Sequence, residues 1–343
     1  MRTATALVGA TSLLISMSCG GAPGTPEGER EAGAATAPTL PRFLSLGTAP
    51  PGGAFYVVGG ALATTLEQDP VGAGWQVTAE GTKGSQENIR RLAAGELDFA
   101  LSNAAITFFA VRGAAGWDRA YDVRSVMTLA PNVALFITER GSGVETIRDL
   151  EGRRVVLGPA GAGFEYFLRP IVEAHGIRLE SIDGLHATQA GAVDLLSDGS
   201  AAAAFLGGAV PTASIVQAAA GRDVYYVPYD QEARQALIEE YPFFRPATLP
   251  AGTYRGLDQD FAGLDVGSMH LICAAGADDE LVYLVTRALY EGRDRVIERH
   301  PAGHAIRAEN VVRDTGTPFH PGAIRFYREI GIWPDDAAPD AAP

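Results

Sequence analysis

Short apolar runs alternate with segments of helical period over most of the chain. After the apolar run at 42–46, Val58, Leu62 and Leu66 recur every four residues, which predicts a strand followed by a helix. The alternation continues with predicted strands at 75–78, 98–101, 133–137, 154–157 and 202–206. Because strands that alternate with helices are typical of βαβ units, we predict an α/β fold with largely parallel sheets.

The pattern restarts near Asn132, and long helical patterns return near 280–298 and 322–330. Two similar units in succession favour two similar lobes, and a length of 343 residues favours the same division. The predicted division places residues 42–131 and 243–333 in lobe 1 and residues 132–242 in lobe 2.

The two ends of the chain differ from this pattern. An apolar run at 4–17 ends just before Cys19, which predicts an export signal in 1–19 and resembles a bacterial lipobox at which Cys19 is lipidated. The alternative is an ordinary secretory signal in which Cys19 is incidental. Residues 20–41 have the composition of a flexible tether, and 334–343 that of a mobile tail. We therefore predict a periplasmic protein that is held at a membrane only through a lipid anchor.

Composition and charge narrow the classes of function. A formal net charge of −14 excludes nucleic acid as a partner, because phosphate binding needs clustered Lys and Arg. Cys273, the only cysteine besides Cys19, lies in an apolar run, so we predict a buried thiol and no intramolecular disulfide. His300 and His304 are four residues apart, but Pro301 lies between them and no third ligand is near, so we predict neither a metal nor a cofactor. Complete P-loop, dinucleotide and nucleophile-elbow motifs are lacking, so no catalytic residue is predicted.

Loops that follow predicted strands are candidates for ligand contacts, because ligands of open α/β sheets bind beyond the carboxyl ends of strands. These loops are 47–56, 80–85, 102–103, 158–164 and 207–211. The first and the fourth are glycine-rich and open helices, where free N–H groups favour a carboxylate.

Each of these interpretations has an alternative. In the alternative interpretation, the glycines of either loop serve only a turn or close packing. A serine in the position of Ser85 more commonly caps a helix, and Phe55 and Tyr56 are equally suited to pack in the core.

Several motifs along the chain carry a family resemblance. They include GGAFYVVGGALA at 52–63, GSQENIRRLAAGELD at 84–98, GPAGAG at 158–163 and PFHPGA at 318–323. In this order and spacing they resemble the TAXI-type solute-binding subunits of TRAP (tripartite ATP-independent periplasmic) transporters. The resemblance implies a two-lobed type II periplasmic-binding-protein fold with mixed, mostly parallel sheets and a hinge. It also implies that the protein closes over one small organic acid and delivers it to an ion-driven membrane permease.

The resemblance implies that both lobes contribute ligand contacts. The contacts in lobe 1 are Thr48, Gly53, Phe55, Tyr56, Thr82, Ser85, Ser102 and Asn103. The contacts in lobe 2 are Ala160, Gly161, Ala162, Phe164, Gly208 and Pro211. Residues 49–51, Phe164 and 208–211 depart from the family pattern towards proline and apolar side chains. We therefore predict a more apolar cleft and a larger or less polar acid than is usual in the family.

Two other functions are compatible with these features. A co-receptor for a membrane sensor would have the same fold and a different partner. An exported α/β enzyme would need a reactive pair that assembles from residues distant in sequence. We predict the transport receptor, without enzymatic activity.

Overall fold

The structure is a computed structural model, and it describes residues 42–51, 53–70 and 74–334. The predicted export signal, the lipidation site Cys19, the tether and the tail from residue 335 lie outside the described residues. The predictions about them stay predictions.

Five of the described strands form the sheet of lobe 1. They are β1 (Arg42–Gly47), β2 (Trp75–Glu80), β3 (Phe99–Asn103), β4 (Val123–Thr128) and β12 (Met269–Ala274). The order across the sheet is β2-β1-β3-β12-β4. Strand β1 pairs in parallel with β2 and β3, whereas β12 is antiparallel to both of its neighbours.

The sheet of lobe 2 contains the other seven described strands. They are β5 (Val133–Glu139), β6 (Arg154–Val156), β7 (Asp183–Leu185), β8 (Ala203–Gly208), β9 (Val224–Tyr226), β10 (Phe244–Leu249) and β11 (Phe261–Val266). The order is β10-β11-β5-β8-β6-β7, and β9 pairs with the far end of β5. Within this second sheet, only β6, β7 and β8 pair in parallel. Both sheets are therefore mixed, and they contain less parallel pairing than the alternation of strands and helices predicts.

Helices cover the faces of both sheets. Those of lobe 1 are α1 (Ala54–Glu67), α2 (Ser85–Ala93), α3 (Ala104–Arg112), α8 (Asp279–Glu291), α9 (Arg293–Arg299), α10 (Ala308–Val311) and α11 (Pro321–Glu329). Those of lobe 2 are α4 (Glu165–Ala174), α5 (Gln189–Ser197), α6 (Ala213–Gly221) and α7 (Gln231–Glu240). Short 3₁₀ helices span Ile147–Leu150, Leu179–Ser181 and Pro301–Ala305. None of the described helices is long and apolar enough to cross a membrane.

The core of lobe 1 explains why the last helices return to it. Val58, Leu62 and Leu66 of α1 are buried at the four-residue spacing seen in the sequence. They share one apolar cluster with residues of α8 and α11, including Val282 and Tyr327. The Tyr327 hydroxyl donates to the carbonyl of Val126 on β4 at 2.9 Å, so the end of the chain is tied to the sheet.

The chain crosses between the sheets twice, after β4 and after β11. The two crossings are hydrogen-bonded to each other, because Met269 N donates to Ala130 O at 2.9 Å and Leu129 N donates to Met269 O at 2.8 Å. Gly267 has φ +109°, and a Cβ there would lie 2.4 Å from Asn103 Oδ1, so only glycine fits this crossing. This paired connection is the hinge that a two-lobed fold requires.

The second crossing corrects the predicted lobe boundary. The prediction assigns residues 243–333 to lobe 1, but β10 and β11 pair with each other and, through β11, with β5 in the sheet of lobe 2. The crossing therefore lies at 267–268. The apolar pattern does not mark β10, because this strand contains Pro246 and its partner β11 follows only after a loop of eleven residues.

Candidate functional site

A cavity of about 180 Å³ lies between the two lobes. Lobe 1 and the first crossing line it with Ala49, Pro50, Pro51, Gly53, Ala54, Phe55, Lys83, Gly84, Ser85, Asn103, Ile106 and Asn132. Lobe 2 lines it with Pro159, Ala162, Phe164, Phe167, Thr188, Gln189, Ala190, Gly207 and Gly208. We call this cavity the cleft. Its lining is mostly apolar, as the sequence predicts.

Six parallel-paired strands point their carboxyl ends at the cleft, three from each lobe. The loops after β1, β2 and β3 supply the lobe 1 wall, and those after β6, β7 and β8 supply the lobe 2 wall. Helices α1, α2, α3 and α5 begin there, and the first N–H groups of a helix have no acceptor within it. The combined dipoles favour an anionic group in the cleft.

Seven of the fourteen predicted contact residues line the cleft. They are Gly53, Phe55, Ser85, Asn103, Ala162, Phe164 and Gly208. Of the other seven, Ala160 and Gly161 line a neighbouring depression of about 420 Å³ that lies in lobe 2 alone. Tyr56 is exposed on α1, and Pro211 follows a cis peptide bond outside the lining.

Thr48, Thr82 and Ser102 are buried behind the lobe 1 wall. Thr48 Oγ1 donates to Glu80 O at 2.6 Å, and Thr82 Oγ1 donates to Thr48 O at 3.1 Å. Asn88 Nδ2 also donates to Thr48 O, at 2.7 Å. These three predicted contacts therefore hold the loops in position instead of lining the cleft, because their hydroxyl groups already have backbone partners or, for Ser102, a threonine partner.

A second chain of polar groups supports the same wall. Ser102 Oγ lies 2.8 Å from Thr107 Oγ1, which lies 2.8 Å from His270 Nε2. Burial, and to a smaller extent the charge of Arg313, lowers the pKa of His270 to about 3. The imidazole is therefore neutral at physiological pH and acts as a structural hydrogen-bond partner.

Helix α1 decides between the two interpretations of the first glycine-rich turn. A Cβ on Gly59 would lie 2.2 Å from Thr48 Cγ2, so this glycine serves close packing of α1 on the loop. The start of the same helix, Ala54 and Phe55, lines the cleft. Gly59 of the 47–60 turn therefore serves packing, while the start of α1 lines the cleft, and a ligand contact at this turn stays a prediction.

Ser85 and Asn103 join the cleft to the hinge. Ser85 does not cap α2; its Oγ accepts a hydrogen bond from Asn103 N at 2.9 Å, which leaves the hydroxyl proton able to donate into the cleft. Asn103 Nδ2 donates to Gly267 O at 2.7 Å, and its Oδ1 caps α3 by accepting from Ala105 N at 2.8 Å. A ligand that moves Ser85 or Asn103 would therefore disturb the hydrogen bond between Asn103 and Gly267 at the second crossing.

Aromatic rings back the lobe 2 wall. The Phe164 and Phe167 ring centroids are 5.0 Å apart, and Phe167 lies 5.9 Å from Phe205. Phe136 continues the series at 4.8 Å from Phe205. Gln189 supplies a polar contrast, because its Nε2 donates to Gly207 O at 2.8 Å and joins two loops of this wall.

The two walls already touch outside the cleft. Gln86 Nε2 of lobe 1 donates to the Tyr166 hydroxyl of lobe 2 at 3.1 Å. The Tyr166 ring stacks on Trp117 at 5.5 Å, and the Arg90 guanidinium lies 5.2 Å from the Trp117 ring centroid. Burial raises the pKa of Tyr166, so its hydroxyl is protonated at physiological pH. The structure therefore represents a state in which the lobes are in contact.

The sequence reasoning missed several lining residues. The loop 188–190 was overlooked because β7, which precedes it, has only three residues and no apolar run. Asn132 lies on a crossing, and Phe167 lies on a helix face instead of a loop. Lys83 had a signal in the composition, because it is the only lysine in the sequence.

The residues considered for other chemistry have structural places. His300 Nδ1 accepts from Ala302 N at 3.0 Å and caps the 3₁₀ helix that follows. Cys273 is fully buried, and burial raises the pKa of its thiol, as expected for an inert side chain. Within the described ranges, no group of three or more His, Cys, Asp or Glu side chains could hold a metal ion.

The fold and the cleft define a class of protein. The two mixed α/β sheets, the paired crossings and the cavity between the lobes are those of the periplasmic-binding-protein fold, which confirms the predicted fold class. Residues 46–331 match the NMT1-like family. The chain belongs to this family.

Solved structures with low sequence identity share the architecture. The chain is similar to PhnD1 from Prochlorococcus marinus in complex with methylphosphonate, with 8% identity, 84% of this chain and 96% of that chain covered, and a TM-score of 0.51. It also matches the alkanesulfonate-binding protein SsuA from Xanthomonas axonopodis bound to MOPS, with 17% identity, 84% of each chain covered and a TM-score of 0.49. The first of these supports the two-lobed fold.

Proposed function

We propose that the chain is an extracytoplasmic receptor that captures one small organic acid in the cleft and delivers it to a membrane transporter. The observation that carries this proposal is the convergence of six strand ends, three from each lobe, on one cavity. A ligand held by both walls stabilises the state in which the lobes are in contact, and a docking partner can recognise that state.

The size and lining of the cleft support a small acid with an apolar body. An apolar cavity of about 150 Å³ holds a benzene ring, so about 180 Å³ accommodates one ring or a short branched chain with a carboxylate. Ala162, Phe164 and Phe167 offer apolar contacts, while the helix N-termini favour the anionic end. Ligand binding at the predicted contacts that line the cleft is part of this proposal.

The resemblance of the loops to TAXI proteins supports the finer proposal that the transporter is of the TRAP type. Membership of the NMT1-like family and the fold support a solute-binding receptor and do not distinguish a TRAP permease from an ABC transporter. Genes beside this one discriminate the partners. A fused large permease subunit supports TRAP, an ATP-binding subunit supports ABC, and a sensor kinase overturns transport in favour of signalling.

We also propose that the protein acts in the periplasm, tethered by a lipidated Cys19, and does not convert its ligand. Mass spectrometry of the membrane fraction tests the anchor, and a Cys19→Ser variant should appear in the soluble periplasmic fraction. Incubation of the chain with any ligand that stabilises it against thermal unfolding should leave that ligand chemically unchanged. A product that accumulates with time would overturn the non-enzymatic part.

Thermal unfolding of the full chain against organic acids, amino acids and sugars tests the receptor function. A ligand at 100 times its dissociation constant should stabilise the chain by about 2.7 kcal/mol. The matched pair of variants is Ala190→Trp, which fills the cleft from an exposed position at the start of α5, and Ala190→Ser, which does not. Stabilisation should vanish in Ala190→Trp and persist in Ala190→Ser. Equal stabilisation of all three chains would place the ligand outside the cleft.

A further inference from the structure

Arginine supplies almost all of the basic side chains of this protein. Its 27 Lys and Arg residues include one lysine, Lys83, and this residue lines the cleft. Lys83 is exposed in the loop after β2, one residue before Gly84. A Cβ on Gly84 would lie 3.6 Å from the Cβ of Ala162, so lobe 2 meets lobe 1 directly beside Lys83.

Lys83 carries the only formal charge among the lining residues of the described chain. None of the acidic residues in the described ranges lines the cleft. Within the part of the chain that the structure describes, the Lys83 ammonium makes no hydrogen bond or ion pair, while its backbone N–H donates to Glu87 Oε2 at 3.2 Å. The ammonium is therefore available to a ligand.

The surroundings of Lys83 limit how much charge a ligand can carry. The uncharged polar lining side chains of lobe 2, Gln189 and Thr188, bond to their own wall and carry no positive charge: Gln189 Nε2 donates to Gly207 O, and Thr188 Oγ1 accepts from Gly191 N. A second anionic group would have no cationic side chain to pair with in the described lining, and against Ala162, Phe164 and Phe167 it would be an unpaired buried charge, which is strongly unfavourable. One ammonium beside an apolar wall matches a ligand with one negative charge.

We infer that Lys83 pairs with the carboxylate of a monocarboxylic acid whose single ring or branched apolar body lies against Ala162, Phe164 and Phe167. The inference rests on the proposed receptor function and narrows it to monoanions. Dicarboxylates and doubly charged phosphonates are poor ligands by this account. Lys83 thus acts as a specificity-determining residue as well as an anchor.

The single lysine makes a direct test possible. Reductive methylation with ¹³C-formaldehyde labels Lys83 and the α-amino group only, and the methylated lysine keeps its charge. Lys83→Arg removes one of the two signals and so assigns the other. The probes are phenylacetate, its neutral analogue phenylacetamide, the dicarboxylate phenylsuccinate, and glucose as a neutral solute, each titrated by calorimetry and by NMR.

Three variants complete the design. Lys83→Gln removes the charge, Lys83→Arg retains it, and Arg328→Gln removes one charge from an exposed position on α11 that does not line the cleft. Because the Lys83 side chain has no partner in the described structure, unfolding without ligand should be unchanged in all three. We expect phenylacetate to shift the Lys83 signal. Its affinity for Lys83→Gln should be about 10- to 100-fold lower than its affinity for the chain without substitutions. Lys83→Arg should bind within about threefold, and Arg328→Gln should bind like the unmodified chain.

The other outcomes separate the two proposals. Equal binding of phenylacetate by Lys83→Gln, or equal binding of phenylacetamide, overturns the role of Lys83 and leaves the receptor function standing. Stronger binding of phenylsuccinate overturns the limit to one charge. Binding of glucose alone overturns the anionic ligand, again without touching the receptor function. No binding of any small molecule in this set or in the wider screen overturns both.

Discussion

The two walls of the cleft are built on different physical principles. Buried hydrogen bonds hold the lobe 1 wall in position. Thr48 and Asn88 donate to backbone carbonyls, and His270 bonds to a threonine hydroxyl. The lobe 2 wall rests on packed rings, among them Phe167 and Phe205. Polar networks fix positions and directions, whereas ring packing supplies an apolar surface. A ligand that bridges the walls therefore needs a polar end and an apolar body.

The largest expected effect is at the lobe 2 wall. Phe167→Ala should lower the free energy of unfolding by about 3–5 kcal/mol, because it removes a fully buried ring from the aromatic cluster and leaves a cavity. Phe167→Leu, which fills more of the space, should cost about 1–2 kcal/mol. Denaturant titration measures both. Equal small losses for the two variants would mean that this wall does not depend on ring packing.

The lobe 1 wall should respond to the loss of one amide. Asn88→Ala leaves the carbonyls of Thr48 and Leu101 without the Nδ2 donor and should lower the free energy of unfolding by about 2 kcal/mol. Thr286→Val is the matched control, because Thr286 Oγ1 donates only to Val282 O, which the helix already satisfies. The control should lose about 1 kcal/mol or less. Similar losses of unfolding free energy in the two variants would show that the hydrogen bonds of Asn88 do not stabilise the lobe 1 wall more than an ordinary side-chain bond does.

A pH titration separates the walls further. The pKa of His270 is lowered to about 3 in the folded chain, below the ordinary 6.5, so the unfolded chain binds its proton first as the pH falls. The contribution of neutral His270 to the free energy of unfolding is fully present above pH 6.5. It is lost as the pH falls towards 3, by at most about 1.4 kcal/mol per pH unit. Burial raises the pKa of Asp265, which acts in the opposite direction.

The variant that isolates this effect is His270→Gln. Its free energy of unfolding should fall less steeply than that of the unmodified chain between pH 6.5 and pH 4, measured by denaturant titration at each pH. Because Asp265 is unchanged in both chains, its contribution cancels in the difference. Identical slopes would show that His270 is not held neutral by burial in the folded chain.

The smallest effect is expected where the two walls touch. Gln86→Ala removes the hydrogen bond to the Tyr166 hydroxyl and should weaken ligand binding by about 0.5–1.5 kcal/mol, because only the state with touching lobes makes this bond. Tyr166→Phe should give the same loss, and the double variant should lose no more. Gln235→Ala, on the exposed side of α7, is the control and should bind normally. Calorimetry with the best acid of the screen measures the differences, and additive losses in the double variant would contradict a direct bond.

The alternation of apolar runs and helical periods was enough to predict the α/β class and most of the strands that reach the cleft. It was not enough for β10, β11 and β7, because pairing between strands distant in sequence leaves no periodic mark in a short or proline-containing segment. The placement of residues 243–266 in lobe 1 was wrong for this reason.

The candidate site shows a similar division. Sequence reasoning found the loops but chose Thr48, Thr82 and Ser102 for their hydroxyl groups, whose partners are set by tertiary contacts. It passed over Lys83, although a lone lysine among arginines was visible in the composition. Position after a strand identified loops that line the cleft, whereas the direction of each side chain required the structure.

The most direct test of the central claim is hydrogen–deuterium exchange of the full chain with and without the acid that stabilises it most. A ligand held between the walls should slow exchange in both lobes, at 84–88 and 104–107 on one side and at 165–168 and 190–193 on the other. These segments contain the helix starts that line or adjoin the cleft. Slowed exchange in both lobes is the predicted result. Protection in a single lobe, or only in segments away from the cleft, would contradict a receptor whose two walls share one ligand.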